Sequence, residues 1–167
     1  MIKKKKIIIF GASGGLGDAL AKVLDDKFFS MFLFNRKNLN FLKKNSEKLI
    51  KKNIMKIKPD VIVNCAGVLG SNSDNFEKIY RINLMPNWEI IKLYKKLKSS
   101  KKVLFIIIGS SSYKKGRKDY ILYSSSKSAL QNMYEGGLEF LRNTNLKLEI
   151  IHPKRINMIQ CTICINF

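Results

Sequence analysis

The 167-residue sequence predicts an α/β fold, a doubly wound parallel sheet of about six strands with helices against both of its faces. Three observations predict it. Residues 7–10, 61–63 and 103–108 are continuous apolar runs, the pattern of strands buried on both faces rather than of strands with one wet side. Segments with helical periodicity separate those runs. A glycine-rich loop, Gly11-Ala-Ser-Gly-Gly-Leu-Gly17, stands between the first strand and the first helix. At 46% hydrophobic, the chain is long enough for one core and needs no second domain.

Taken in order, Lys3 to Lys6 lead into the first strand, and the glycine loop then opens a helix that includes Asp18. Strand, glycine loop and helix in that order make a dinucleotide-binding unit: the glycines permit a tight turn and close backbone approach, and the helix start offers amides to a pyrophosphate. Gly11, Ser13, Gly15, Leu16 and Gly17 are the residues placed there. Residues 30–34 read as a second strand ending in Asn35-Arg36-Lys37. An acid at this strand end would accept hydrogen bonds from an adenosine ribose, whereas Arg36 offers a charged fork that matches a 2′-phosphate, so NADP is favoured over NAD. Residues 39–42 suit a stub of third strand, and Asn45 is placed to cap a helix over 46–57.

The fourth strand runs from Asp60 into Asn64-Cys-Ala-Gly67. A loop rich in Ser and Asn (71–75) precedes a long helix over 76–98, in which Asn83 sits within an apolar pattern and Pro86 is expected to cause a kink. The fifth strand, 103–108, ends in Gly109-Ser110-Ser111-Ser112. A second long helix, 123–143, carries Tyr123 and Lys127 four residues apart and hence on one face, with Gly136-Gly137 allowing close helix packing. A phenol handles protons near neutral pH only if its phenolate is stabilised, which an ammonium one turn away does. Residues 147–151 make a sixth strand, followed by His152-Pro153, where the lone histidine reads as structural.

Ser110, Tyr123-x-x-x-Lys127 thirteen residues on, Asn83 upstream, the spacing Gly11-x-x-x-Gly15-x-Gly17 and the run Asn64-Cys-Ala-Gly67 together resemble the short-chain dehydrogenase/reductase family. The resemblance implies a Rossmann-type NAD(P)-binding domain over residues 1–157, with 158–167 an atypical tail where the resemblance stops. It implies a catalytic set of Asn83, Ser110, Tyr123 and Lys127, with Ser111 the fallback for the serine. The cofactor would lie on Gly11, Ser13, Gly15, Leu16, Gly17, Arg36, Asn64, Ala66, Gly67, Tyr123, Lys127 and Pro153. Asn64 would brace the neighbouring strand. Phe10 and Cys65 depart from the Thr and Asn of the family pattern, and Phe10 removes a hydrogen bond that braces the glycine loop. The segment 38–59 is short for the family, so the adenine pocket is expected to be poorly formed. The helices at 76–98 and 123–143 are those through which members form dimers or tetramers. Ending at Phe167, the chain is expected to lack the last strand and the segment that caps the substrate, as a truncated copy would, and to bind cofactor better than it turns over.

Within the family, the run from Gly109 to Lys127 resembles the ribulose 5-phosphate reductase half of bacterial enzymes that make CDP-ribitol for surface polysaccharides. Lys114, Lys115, Arg117 and Lys118, with Lys154 and Arg155 opposite, suit a phosphorylated sugar. A net charge of +20 raises nucleic acid as a rival partner. Of the 32 basic residues, however, only five are arginine (Arg36, Arg81, Arg117, Arg142 and Arg155), and the lysines are scattered through every segment without a binding stripe. A catalytically impaired, cofactor-binding remnant is the other rival. Cys65, Cys161 and Cys164 make no even disulfide set, the Cys161-x-x-Cys164 pair has no second pair or nearby histidine to complete a metal site, and no apolar run reaches the length of a secretion signal or a membrane span. A reducing cytoplasm is the expected location.

Overall fold

The structure is a computed structural model, and it describes residues 3–97 and 99–153. Lys154, Arg155, the tail 158–167 and its two cysteines lie outside the described residues. The elements are β1 (Lys5–Phe10), α1 (Gly15–Val23), β2 (Phe29–Phe34), α2 (Ser46–Ile57), β3 (Val61–Asn64), α3 (Phe76–Asn83), α4 (Met85–Lys96), β4 (Val103–Ile108), a 3₁₀ turn (Ser111–Tyr113), α5 (Ile121–Phe140) and β5 (Leu146–Ile151).

All five strands are parallel, in the order β2-β1-β3-β4-β5. The chain order reverses direction in space between β1 and β3, and a ligand crevice opens at such a switch point, beyond the carboxyl ends of the strands. The interior strands are apolar along their buried centres because both faces are covered: Ile8, Phe10, Ile62, Phe105 and Ile107 face a core closed by α2, α4 and α5, while Ile7, Ile9, Val61, Val63 and Ile106 face α1. Among the described residues no helix is long and apolar enough to cross a membrane.

The third-strand stub is corrected: residues 39–42 form turns, which leaves five strands among the described residues where about six were expected. The cause is local. Asn35 and Asn40 take the backbone N–H groups of Lys37 and Leu42 on their side-chain oxygens, and Asn38 takes that of Asn35, so those donors are unavailable to a strand ladder. Leu39 and Phe41 are buried all the same. Phe41 packs edge-on against Phe10 at 6.0 Å, and Phe34 lies 5.5 Å from the same ring. The carbonyl of Phe41 is fixed by Ser46 Oγ (3.2 Å) and Arg81 Nε (3.1 Å). Phe10, which cannot brace the glycine loop with a hydroxyl, thus becomes the anchor of the segment that replaces a strand, and the loop is braced by Ala12 N–H on Phe34 O (3.0 Å) and Gly14 N–H on Gly11 O (3.0 Å).

Three further expectations shift in detail. Helix α2 has the predicted bounds, yet Asn45 at its start makes no side-chain cap. The long helix over 76–98 is two helices broken at Leu84, because Pro86 has no N–H for the carbonyl of Ile82 and the Asn87 N–H turns back to Leu84 O instead. Only Gly137 of the glycine pair is needed, and mainly for a strand: a β-carbon there would lie 2.9 Å from Leu148 of β5 and 3.5 Å from Ile91 of α4, whereas one at Gly136 would meet nothing within 4 Å.

Phe10→Ala should lower stability by about 3 to 5 kcal/mol, the usual loss for a fully buried phenylalanine. Phe34→Ala, whose side chain is half-buried, should cost less. Urea denaturation of both variants tests the ranking, and equal losses would contradict the anchoring role of Phe10.

Candidate active site

The glycine loop is built by close approach. Gly11 has φ +75°, a left-handed conformation, and a β-carbon there would lie 2.5 Å from Ala66 N. One on Gly17 would lie 2.4 Å from the Gly11 carbonyl oxygen. The N-cap of α1 is Gly14, which provides no side-chain oxygen, so the first-turn N–H groups are left for a ligand anion. Two adjoining clefts open above the carboxyl ends of the strands. One of about 300 Å³ runs from Gly11, Ser13 and Gly14 to Arg36 and the ring of Phe41. Another of about 880 Å³ is walled by Leu16, Ser110, Arg117, Tyr123, Lys127 and Pro153. Cys65, Ala66, Gly67 and Val68 line both, which makes them one groove.

Lys127 is the central charge. Its side chain enters from α5, its ammonium donates to Ile108 O at the end of β4 (2.9 Å), and it lies 5.8 Å from the centre of the Tyr123 ring. The residue is 5% exposed. Burial lowers its pKa from 10.5 to about 8, which leaves it charged at neutral pH.

Behind the groove lies a chain of buried amides. Asn83 accepts from Val68 N–H (2.9 Å) and donates to Val68 O (3.1 Å) and Ser126 Oγ (2.9 Å). Asn87 donates to Asn83 O (3.0 Å) and accepts from Asn64 Nδ2 (2.8 Å), and Asn64 Oδ1 accepts from Ala66 N–H (3.1 Å). The Asn64 side chain therefore ties its strand to helix α4, not to a neighbouring strand. Asn83 Oδ1 and Lys127 Nζ face one point beside Gly67, being 3.5 and 3.8 Å from where a β-carbon on that glycine would sit.

Of the residues singled out in the sequence, Gly11, Ser13, Arg36, Ala66 and Gly67 line the smaller cleft, and Leu16, Ala66, Gly67, Ser110, Tyr123, Lys127 and Pro153 line the larger. Gly17, Asn64 and Asn83 support the groove from behind. Gly15 opens α1 but is not among the lining residues. Ser110 and Ser111 both reach the larger cleft; Ser110 Oγ also accepts from Ser112 N–H at 3.2 Å. Among the expected sugar-phosphate cations that are described, only Arg117 lines it. Lys114 lies over the Tyr113 ring at 5.7 Å. Leu39, Asn40 and Phe41, in the segment expected to be short, wall the smaller cleft. Sequence reasoning missed Asn87 and Ser126, although Asn87 stands four residues after Asn83, a spacing that puts both on one helical face. Burial raises the Cys65 thiol to about 12, so it stands in the groove wall as a neutral group.

The short chain dehydrogenase family model matches residues 43–160, and the chain belongs to that family. It is 31% identical over 168 residues to the bifunctional ribulose 5-phosphate reductase/CDP-ribitol pyrophosphorylase of Haemophilus influenzae, covering 92% of this chain and 34% of that protein. The chain thus spans about a third of that relative's length. Among solved structures, a short chain dehydrogenase family protein from Francisella tularensis superposes with a TM-score of 0.77 at 18% identity, covering 93% of this chain and 71% of that one. The dTDP-4-dehydrorhamnose reductase of Bacillus anthracis, in complex with NADP, superposes with a TM-score of 0.66 at 19% identity, covering 90% and 53%. At these identities the two structures speak for the fold alone.

The lowered pKa of Lys127 has a testable sign. Below about pH 8 both folded and unfolded chains carry this proton, and the full cost of the buried charge is present; between 8 and 10.5 the unfolded chain binds more of it, so stability rises with pH. The unfolding free energy of the parent minus that of Lys127→Met, from urea titrations at several pH values, should therefore rise across that window. A flat difference would contradict the burial.

Proposed function

We propose that this chain is an NAD(P)-dependent reductase of a small carbonyl compound, with NADPH the preferred donor and a phosphorylated ketose such as ribulose 5-phosphate the substrate, serving surface polysaccharide precursors in the cytoplasm. The observation that carries this reading is the convergence of Ser110, Tyr123, Lys127 and Arg117 on one cleft continuous with the glycine-lined one. The cradle fits a dinucleotide: Gly11 and Gly17 leave backbone where a β-carbon would collide, and Arg36 stands at the far end.

The cofactor, when bound, supplies a hydride to the carbonyl carbon. Tyr123 gives the proton to the carbonyl oxygen, and the Ser110 hydroxyl holds that oxygen in place. The Lys127 ammonium, fixed on Ile108 O, keeps positive charge beside the phenol, and it would hold the nicotinamide ribose of a bound cofactor. Asn83 completes the proton relay from its place beside Gly67 and Lys127. Arg117 pairs with the substrate phosphate; its own N–H is held by Ser124 Oγ (3.2 Å), which registers the loop over the first turn of α5. The H. influenzae relative supports this substrate class. Pairing of two copies through α4 and α5 is supported by Trp88 and Phe140, which are 40% and 41% exposed with ring centres 6.1 Å apart.

Fluorescence titration should give tighter binding of NADPH than of NADH, and Arg36→Asp should remove the preference; equal affinities in the parent would contradict it. NADPH absorbance loss with ribulose 5-phosphate should cease in Tyr123→Phe but persist in Tyr120→Phe, since Tyr120, the other phenol lining this cleft, is not the one that lies beside the Lys127 ammonium. Arg117→Gln should raise KM for the phosphorylated ketose at least tenfold while leaving NADPH affinity near that of the parent. Binding of NADPH without turnover of any phosphorylated ketose would leave cofactor binding as the function.

A further inference from the structure

We propose that His152 is a positioning residue for Ser110, held in its Nε2–H tautomer by a hydrogen-bond chain that begins at the Glu135 carboxylate, and that protonation at Nδ1 moves the ring's hold from the Ser110 N–H to its carbonyl and so shifts the serine segment. The inference rests on the reading of Ser110 as the group that holds the carbonyl oxygen.

The chain of bonds has only one direction. A carboxylate only accepts, so Glu135 Oε1 accepts a hydrogen bond from Gln131 Nε2–H (2.6 Å). That turns the carbonyl oxygen of Gln131 toward His152, where Oε1 lies 2.7 Å from the ring Nε2. An amide oxygen cannot donate, so Nε2 carries the proton and Nδ1 keeps its lone pair. Nδ1 lies 3.1 Å from Ser110 N and accepts its N–H. It is also 3.1 Å from Ser110 O, a contact that becomes a hydrogen bond only when Nδ1 is protonated. The neutral ring therefore holds the serine by its N–H, and the imidazolium would repel that N–H and pull on the carbonyl.

The ring is fixed in every other respect. It stacks on Tyr113 with centres 4.0 Å apart, and a β-carbon on Gly109 would come within 2.4 Å of Nδ1, so only glycine lets the imidazole lie against the end of β4. The charged and titratable groups around it, among the described residues, are Lys127 and Glu135 from α5 and Tyr113 and Lys114 from the segment after β4. Burial first, then the two ammoniums, hold its pKa below the ordinary histidine value despite the Ser110 contact, which acts the other way. The serine thus stays in register through neutral pH, and its shift is confined to acid.

His152 is the one histidine of the chain, so a long-range proton–nitrogen spectrum of the imidazole gives a single set of signals. The expected result is the Nε2–H tautomer at pH 8, a Ser110 amide signal that shifts with the imidazole titration, and a mixed tautomer in Gln131→Leu. An Nδ1–H tautomer, or a Ser110 amide that ignores the titration, overturns the proposal whether or not the protein turns over. In the NADPH assay, His152→Asn places an untitratable oxygen where Nδ1 stood and should keep kcat within a few-fold while losing the acid limb of the pH profile. His152→Phe keeps the stack but not the acceptor, and its kcat should fall about tenfold or more, the scale of a misplaced catalytic group, with NADPH affinity unchanged. A parental kcat in His152→Phe, or an acid limb retained in His152→Asn, counts against it. Absence of turnover in the parent would instead remove the reductase reading and leave the spectroscopic result to decide this one.

Discussion

Burying an ammonium is the constraint around which the carboxyl end of this sheet is arranged. Desolvation of Lys127 disfavours its charge, and the fold offsets that cost with one fixed partner, Ile108 O, at 2.9 Å. That carbonyl is available because β4 ends there and the chain turns away through Gly109. For α5 to deliver the ammonium to it, the loop after β3 must pass close by, and Gly67 has no side chain to obstruct it. The Ser126 oxygen then accepts from Asn83 Nδ2, so the helix that carries the lysine is held to the helix that follows β3.

The amide chain through Asn64, Asn87 and Asn83 serves the same arrangement from the inside. Three asparagines at 2% exposure or less would each be destabilising if unpaired, yet among the described residues no buried side-chain nitrogen or oxygen lacks a partner. Replacing Asn64 or Asn87 alone would orphan the other's side chain, whereas Asn83 joins them through its backbone carbonyl and spends its own side chain on Val68 and Ser126. The polar interior thereby fixes one spatial relation between β3, α4 and the wall of the groove, which apolar packing by itself would leave degenerate.

Much of this was legible in the sequence, for identifiable reasons. Both-face-buried strands announce themselves as unbroken apolar runs, and a glycine loop between strand and helix has few uses. Tyr123 and Lys127 could be paired because helical geometry is regular. What was not legible depended on contacts distant in sequence. Residues 39–42 have strand-like composition, but the neighbouring asparagines divert the backbone donors into turns, and Phe10, read as the end of a buried strand and as a missing hydroxyl, supplies the ring that holds them. Asn64 looked like a strand-to-strand brace because its helical partner lies 23 residues away. His152 looked inert for the same reason: its partners, Ser110 and Gln131, are 42 and 21 residues distant.

The strand order has a consequence for synthesis. Once β1 exists, β2 adds to one side of it and β3 to the other, after which β4 and β5 each add at the free edge left by the strand before. No strand has to be inserted between two that are already paired. A nascent chain emerging from a ribosome can therefore extend the sheet in the order in which it is made, without undoing any ladder. The groove matures along the same course: the glycine-loop half can take shape once β3 has been made, and the half holding Ser110 and Tyr123 must wait for β4 and α5.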